Sequence, residues 1–287
     1  MILDGKGTSE KLTEKLKIEI EKLPKKITLA IILVGDNEAS KTYVKNKHKK
    51  CAELGINSKE FYFPANEPQK SILKVIKNLN EDVKVNGILV QLPLPNHLDE
   101  DVIINTIDPN KDVDGLTLAN QGKLFMNKPG IEPATPKGVM TLLDEYHIDI
   151  QGKKVVIVGR SKLVGKPLAI LMLKKNATVT IAHSKTVSLK DVTKDADILV
   201  AAIGVPKFIK ADMVKKDAVV IDVGINRFES KLVGDVDFDE VVEIASAITP
   251  VPKGIGPMTI VSLIQNVIEC YKIQEEIRLK EQDLGKN

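Results

Sequence analysis

The apolar run Val155-Val156-Ile157-Val158 breaks into the glycine-bounded turn Gly159-Arg160-Ser161-Lys162-Leu163-Val164-Gly165, which opens past Lys166-Pro167 onto the helical pattern Leu168-Ala169-Ile170-Leu171-Met172-Leu173. A strand, a tight turn and a helix start in that order form a phosphate cradle, because glycine permits close backbone approach and a helix N-terminus offers unpaired N–H groups. The segment therefore points to dinucleotide binding. Its spacing departs from G-x-G-x-x-G, since Ser161 stands where the second glycine would be. Taken alone, it fits a purely structural strand-to-helix turn as well as it fits a cofactor site.

The next strand shifts that balance. Ala177-Thr178-Val179-Thr180-Ile181-Ala182 ends in His183-Ser184-Lys185-Thr186, roughly 20 residues beyond the turn, where an NAD-specific site usually carries an acid for the ribose 2′-hydroxyl. Here the segment offers hydroxyls, Ser184 among them, and a cation, with Arg160 waiting in the first turn. That set suits a 2′-phosphate, so NADP is favoured over NAD. The competing reading is an ordinary solvated loop.

At 287 residues, 43% hydrophobic and 28% charged, the chain is long enough for two domains and apolar enough to bury real cores. A net charge of +3 from 42 basic and 39 acidic side chains is too balanced for a general nucleic-acid binder, and the lysines are scattered. Only Cys51 and Cys270 occur, and the four histidines lie far apart, so neither a disulfide framework nor a zinc site is signalled and a cytoplasmic setting is expected. No apolar leader and no stretch approaching membrane-spanning length is present, so neither export nor membrane insertion is indicated.

Helix and strand patterns alternate from the start. A helical stripe of Leu12, Leu16, Ile20 and Leu23 precedes an apolar run at 29–34, a helix at about 40–54, a strand near Phe61, a helix through Ile72, Val75, Ile76 and Leu79, and the strand Gly87-Ile88-Leu89-Val90. Such alternation implies a mostly parallel sheet flanked by helices. After Asp114, a stretch carrying Pro129, Gly130, Pro133, Pro136 and Gly138 reads as a linker. A second series follows, with strands expected at 155–158, 179–182, 198–201, 219–223 and 247–249, then a helix from Met258 that could end this domain or pack back on the first.

On a helical wheel, Ser40, Tyr43, Val44, Lys47, Cys51 and Leu54 share one face, while Lys41, Lys45 and Lys49 fall near the other. Lys47 therefore sits in the middle of the inward stripe. A lysine there either snorkels to solvent or serves chemistry, and partial burial would lower its pKa toward the range where an amine exchanges protons near neutrality. Two further polar features stand where strands should end: Gln91 in Gly87-Ile88-Leu89-Val90-Gln91-Leu92-Pro93-Leu94-Pro95, and the acids of Lys111-Asp112-Val113-Asp114-Gly115. Asp-x-Asp-Gly resembles part of a calcium loop, but the bidentate acid expected downstream is missing. Singly, each could be a turn residue capping its neighbour. The segment Thr249-Pro250-Val251-Pro252-Lys253-Gly254-Ile255-Gly256-Pro257-Met258-Thr259 packs three prolines and two glycines before a helix, the composition of a rigid loop that lets backbone approach a ligand.

Together these segments resemble the bifunctional methylenetetrahydrofolate dehydrogenase/cyclohydrolase family. Ser40-Lys41-Thr42-Tyr43-Val44-Lys45-Asn46-Lys47, Val90 to Pro95, Lys111 to Gly115, Pro133-Ala134-Thr135-Pro136-Lys137-Gly138, Gly159-Arg160-Ser161 with Val164, Gly165 and Pro167, Ile221-Asp222-Val223-Gly224-Ile225-Asn226, and Thr249 to Thr259 match its motifs in order. The resemblance implies two three-layer α/β domains around a cleft, the second Rossmann-like with a mostly parallel sheet. It implies a folate domain at 1–135, an NADP-binding domain at 136–257, and a final helix at about 258–287 returning to the first domain.

The resemblance also implies oxidation of 5,10-methylenetetrahydrofolate to the 5,10-methenyl compound with NADP and its hydrolysis to 10-formyltetrahydrofolate at the same site, in a homodimer. Lys47 would be the acid/base group, Tyr43 would orient the folate, Gln91 would tune the lysine and Asp114 would grip the pterin. Ser40 and Pro257 would add folate contacts; Gly159, Arg160, Ser161, Ser184 and Ile225 would contact the dinucleotide. Two positions depart from the family pattern: Ala134 replaces a usual cysteine, and Lys253 a usual glycine. A different two-domain NADP dehydrogenase with a catalytic lysine, such as one resembling shikimate dehydrogenase, is the competing enzyme reading.

Overall fold

The computed structural model describes residues 1–229 and 231–284. They fall into two compact units, one of Thr13–Ala134 with the chain from Leu263 onward, the other of Met1–Leu12 with Thr135–Ser262.

In the first unit, α1 (Gly5–Glu21), whose opening turns belong to the second, leads to β1 (Thr28–Val34), α2 (Glu38–Glu53), β2 (Asn57–Phe63), α3 (Gln69–Glu81) and β3 (Gly87–Val90). The strands form a parallel sheet in the order β2-β1-β3. Central β1 is buried along its whole length, as a near-continuous apolar run should be when helices cover both faces of a parallel sheet. Ala30, Ile32 and Val34 of β1, Ile88 and Val90 of β3 and Ile72 and Ile76 of α3 make one core. Two short helices follow, α4 (Glu100–Asn105) and α5 (Leu118–Phe125).

The Lys111-to-Gly115 segment runs along β3, with a parallel bridge between Ile88 and Asp112. Two residues beyond that bridge on each chain stand Val90, at the strand's end, and Asp114. The neighbours of Asp114 are structural. The buried Lys111 ammonium donates to Leu79 O, Asn80 O and Asp82 O at 3.0, 2.7 and 2.9 Å, closing the C-terminus of α3, where carbonyls lack helical partners. Asp112 accepts from Thr117 N at 2.8 Å and Asn120 Nδ2 at 3.0 Å, tying the segment to the start of α5. From the far end of the chain, buried Asn266 donates to Val113 O and Glu132 O at 2.9 and 2.8 Å.

The second unit contains α6 (Ala134–Glu145), β4 (Lys154–Val158), α7 (Gly165–Lys174), β5 (Thr178–Ala182), α8 (Leu189–Lys194), β6 (Ile198–Ala201), β7 (Val219–Asp222), the hairpin of β8 (Asn226–Phe228) and β9 (Lys231–Val233), α9 (Phe238–Val241) and β10 (Ala247–Ile248). Helix α10 (Ile255–Leu284) supplies residues to both units. Five parallel strands lie in the order β10-β7-β6-β4-β5. The order reverses between β4 and β6, the switch point at which doubly wound sheets leave a crevice for ligands.

Three boundaries differ from the sequence reading. Met1–Leu12 joins the second unit because Ile2 bridges Ile248 and Leu3 N donates to Ile248 O at 2.8 Å, extending the sheet past β10. The proline-rich stretch after Asp114 is helical in part. Pro136 is tolerated in α6 because it falls in the first turn, where the missing N–H has no helical partner, and a side chain at Gly138 would stand 3.0 Å from the Met258 backbone. The final helix begins earlier than expected, at Ile255; positions 285–287 of the expected range lie outside the described residues.

Lys111→Met should lower the unfolding free energy by about 2 kcal/mol, because three carbonyls at the end of α3, one of them in a fully buried bond, lose their donor. Urea unfolding measures this, and an unchanged midpoint would show that the cap carries no stability.

Candidate active site

Helix α2 is begun by Asn37, whose side chain accepts from Ser40 N at 3.0 Å, and it buries Ser40, Val44, Lys47 and Cys51 on one face. Lys47 does not snorkel: only 6% of it is exposed. Its ammonium donates to Gln91 Oε1 at 3.0 Å, and the Gln91 amide is fixed in turn by donation from Nε2 to Leu92 O at 2.7 Å. Gln91 N donates to Ile32 O at 2.8 Å, so the residue that receives the lysine is held at the C-terminal end of the sheet by ladder-type backbone pairing.

Burial lowers the Lys47 pKa from its ordinary value, while the negative charge of Asp114 opposes that shift. The same cause acts oppositely on Asp114, whose pKa is raised by desolvation, with Lys47 pulling it down and Asp112 pushing it up. One turn beyond the lysine, the pKa of the fully buried Cys51 thiol is pushed up to about 12 by burial, with the Lys47 charge opposing that shift. Tyr43, half-buried on the same helix, keeps its phenolic proton more firmly than usual for the same reason. Lys47, Gln91 and Asp114 are thus brought together, with Tyr43 and Ser40 on the same helix as the lysine.

In the second unit, the expected turn joins β4 to α7. Gly159 adopts φ +135, and a side chain there would stand 2.2 Å from Ala202 O, the residue after β6. At Gly165, a side chain would meet Gly159 O at 2.1 Å. The two glycines therefore let the ends of β4, β6 and α7 close at the switch point. The helix start is not a bare N-terminus as expected. Ser161 Oγ accepts from Val164 N and Gly165 N at 3.0 and 3.4 Å, and Ser161 O accepts from Lys166 N at 3.1 Å. A hydroxyl replaces the second glycine of the fingerprint and satisfies amides that a phosphate would otherwise take. Arg160, Ser161 and Ser184 are exposed around this turn and at the end of β5. A guanidinium and two hydroxyls at these strand ends match the donor set a phosphorylated ribose needs.

Ile225 is 43% exposed in the turn after β7, and its Cδ1 would lie 3.5 Å from a side chain placed at Gly256. Pro257 is half-buried in the first turn of α10. Lys253 adopts φ +84, the left-handed region that favours glycine. Sequence reading gave no separate role to Asp222 and Asp235, two buried carboxyls, the first closing β7 and the second just after β9. Burial raises Asp222 to about 7, with the backbone donors Val236, Asp235 and Gly224 working against that shift. The available signal was the adjacency of each acid to glycine, in Asp222-Val223-Gly224 and Gly234-Asp235.

Residues 3–114 match the family model for the tetrahydrofolate dehydrogenase/cyclohydrolase catalytic domain, and residues 133–275 match that for its NAD(P)-binding domain. The bifunctional protein FolD of Acholeplasma laidlawii is 55% identical over 276 residues, which cover 96% of this chain and 100% of that protein. The crystal structure of the bifunctional FolD methylenetetrahydrofolate dehydrogenase/cyclohydrolase of Campylobacter jejuni superposes with a TM-score of 0.94 at 47% identity, covering 96% of this chain and 99% of that one. The Trypanosoma brucei methylenetetrahydrofolate dehydrogenase-cyclohydrolase, solved with NADP and an inhibitor, gives a TM-score of 0.91 at 35% identity, covering 96% and 98% of the two chains.

Gly159→Ala is expected to cost about 1–3 kcal/mol of stability, because the new side chain must displace Ala202 O. It should weaken NADP binding in parallel; calorimetric titration showing wild-type affinity would remove Gly159 from the dinucleotide crevice.

Proposed function

Because the chain belongs to the tetrahydrofolate dehydrogenase/cyclohydrolase family, we propose that Lys47 is the acid/base group at which the folate one-carbon unit is oxidised and then hydrated. The protein is a bifunctional enzyme: it oxidises 5,10-methylenetetrahydrofolate to 5,10-methenyltetrahydrofolate and hydrolyses that to 10-formyltetrahydrofolate. The observation that carries the proposal is the buried Lys47 amine, 3.0 Å from Gln91 Oε1 and coupled in charge to Asp114.

NADP, when bound, accepts the hydride that leaves the one-carbon bridge. In the hydrolysis, the neutral amine of Lys47 removes a proton from water as its oxygen bonds the methenyl carbon. The resulting ammonium returns that proton to N5 as the C–N5 bond breaks, and the hydroxyl proton of the intermediate leaves to solvent as the formyl group forms. Gln91 favours the ammonium by accepting a hydrogen bond from it, while burial favours the free amine, so both forms are accessible in one cycle. Asp114 presents acceptors to the N–H edge of the pterin, and its raised pKa follows from the same dry surroundings. Tyr43 orients the folate with a protonated phenol; Ser40 and Pro257 add contacts to it.

Gly159, Arg160, Ser161, Ser184 and Ile225 hold the dinucleotide. Arg160 with the two serines supports NADP over NAD, as a cation and hydroxyls suit a 2′-phosphate better than a free ribose hydroxyl. The enzyme acts as a cytoplasmic homodimer; no described helix is long and apolar enough to cross a membrane, and β2 is an edge strand.

Absorbance of purified protein with 5,10-methylenetetrahydrofolate should show reduced nicotinamide forming faster with NADP than with NAD, and little methenyl-folate surviving. Absence of folate-dependent reduction with either cofactor would favour a shikimate-type dehydrogenase. Lys47→Arg keeps the charge but cannot release its proton near neutrality, so hydrolysis should fall about 100-fold or more. Gln91→Leu removes an acceptor that favours the ammonium, so the Lys47 pKa falls further and the rising limb of the hydrolysis pH profile should move to lower pH. A limb that moves upward or stays in place would separate Gln91 from the lysine.

A further inference from the structure

The Asp235 side chain is fully buried and accepts four hydrogen bonds, all from neutral donors. Oδ2 takes Ile203 N at 2.7 Å and Gly204 N at 2.9 Å; Oδ1 takes Val205 N and Asn226 Nδ2, both at 2.9 Å. One carboxylate thus joins the loop leaving β6 to the turn leaving β7. A second buried acid fixes it from behind: Asp222 Oδ1 accepts from Asp235 N and Gly224 N at 2.9 and 3.0 Å, and Oδ2 accepts from Val236 N at 2.8 Å.

The backbone is fitted tightly around both carboxyls. A side chain at Gly224 would stand 2.1 Å from Asp235 Oδ1, and one at Gly234 would stand 1.8 Å from Asp222 Oδ2. Burying a carboxylate is costly unless hydrogen bonds replace its water, and three successive backbone amides converging on one side chain do so. A core that needed only stability would be served as well by apolar residues. What these acids provide is a fixed relation between two loops.

Those loops border the switch point. Ala202, immediately before the Ile203-Gly204-Val205 amides, contacts the place where a Gly159 side chain would stand. Ile225 lies between Gly224, pressed on Asp235, and Asn226, bonded to it. We propose that Asp235 is a positioning residue for the dinucleotide: it sets the Ala202–Val205 and Gly224–Asn226 loops at the spacing the cofactor requires, without touching the cofactor itself. This rests on the reading that Gly159 to Ser161 and Ile225 hold the dinucleotide.

The test compares wild type with Asp235→Asn and Asn226→Ala, using three measurements. Hydrogen exchange without nucleotide should show the amides of residues 203–205 protected in wild type and exchanging about tenfold faster or more in Asp235→Asn, where an NH2 group replaces one acceptor. Calorimetric NADP affinity should fall about tenfold or more in Asp235→Asn, and less in Asn226→Ala, which removes one donor of the four. Hydrolysis of 5,10-methenyltetrahydrofolate without nucleotide reports on the other unit and should stay at the wild-type rate in both.

Wild-type NADP affinity in Asp235→Asn would overturn the proposal, as would hydrolysis and NADP affinity falling together in that variant, which would mark a general structural role. If Asp235→Asn does not fold, unchanged NADP affinity in Asn226→Ala overturns it. Failure of the wild type to bind NADP would instead overturn the dinucleotide site on which the proposal rests.

Discussion

An amine held inside the protein governs the folate unit. Helix α2 places Lys47 on its buried face, and the energetic problem this creates explains the residues around it. A buried ammonium costs several kcal/mol unless its protons are accepted and its charge is balanced. Gln91 supplies the acceptor and Asp114 the opposing charge, neither strongly enough to restore the lysine's ordinary proton affinity. Each partner needs support of its own. Gln91 is set by backbone pairing to β1 and by its own amide on Leu92 O. The Asp114 segment is held by Lys111 on α3, Asp112 on α5 and Asn266 on Val113 O.

The five residues from Lys111 to Gly115 show how one short motif divides its labour. Lys111 and Asp114 are both titratable and shielded by protein, yet their surroundings differ. The Lys111 ammonium meets three carbonyls at a helix end, a complete set of acceptors that leaves it no reason to move. Asp114 has for its dominant partner a lysine whose own charge is destabilised. Gly115, at φ +67, makes the turn that sends the chain away, since a side chain there would meet Ile131 O at 2.7 Å. The first residue of the motif stabilises the unit, while the fourth stays chemically adjustable.

Much of this was legible in the sequence because periodicity and burial share a physical cause. The wheel that put Ser40, Val44, Lys47 and Cys51 on one face marked the same residues that the fold buries, and the apolar runs became the strands of the two parallel sheets. Legibility failed where a long-range partner decided the outcome. Periodicity could not show that Ile2 pairs with Ile248, some 250 residues away, which is why Met1–Leu12 packs with the second unit although its sequence leads into the first. Nor could it show that Ser161 would satisfy the first amides of α7, since a hydroxyl in a turn reads equally well as a ligand contact or a cap. The proline-rich stretch misled for a local reason: Pro136 breaks a helix interior but suits a first turn, and only the position of α6 distinguishes the two.

The two units handle buried charge in opposite ways, and each way suits its chemistry. Proton transfer needs a group that gains and loses a proton at little cost, so the folate unit leaves Lys47 with one neutral acceptor and a carboxyl whose own ionisation is disfavoured. Cofactor recognition needs geometry that does not change during turnover. The Asp235 side chain, for which we propose such a positioning role, receives four neutral donors from two loops, a hydrogen-bond set that ties both loops to one residue. Under-solvation makes Lys47 adjustable; three backbone amides and the Asn226 side-chain amide fix Asp235 in place. The same desolvation cost, compensated to different degrees, suits the proton carrier proposed in one unit and the fixed strut proposed in the other.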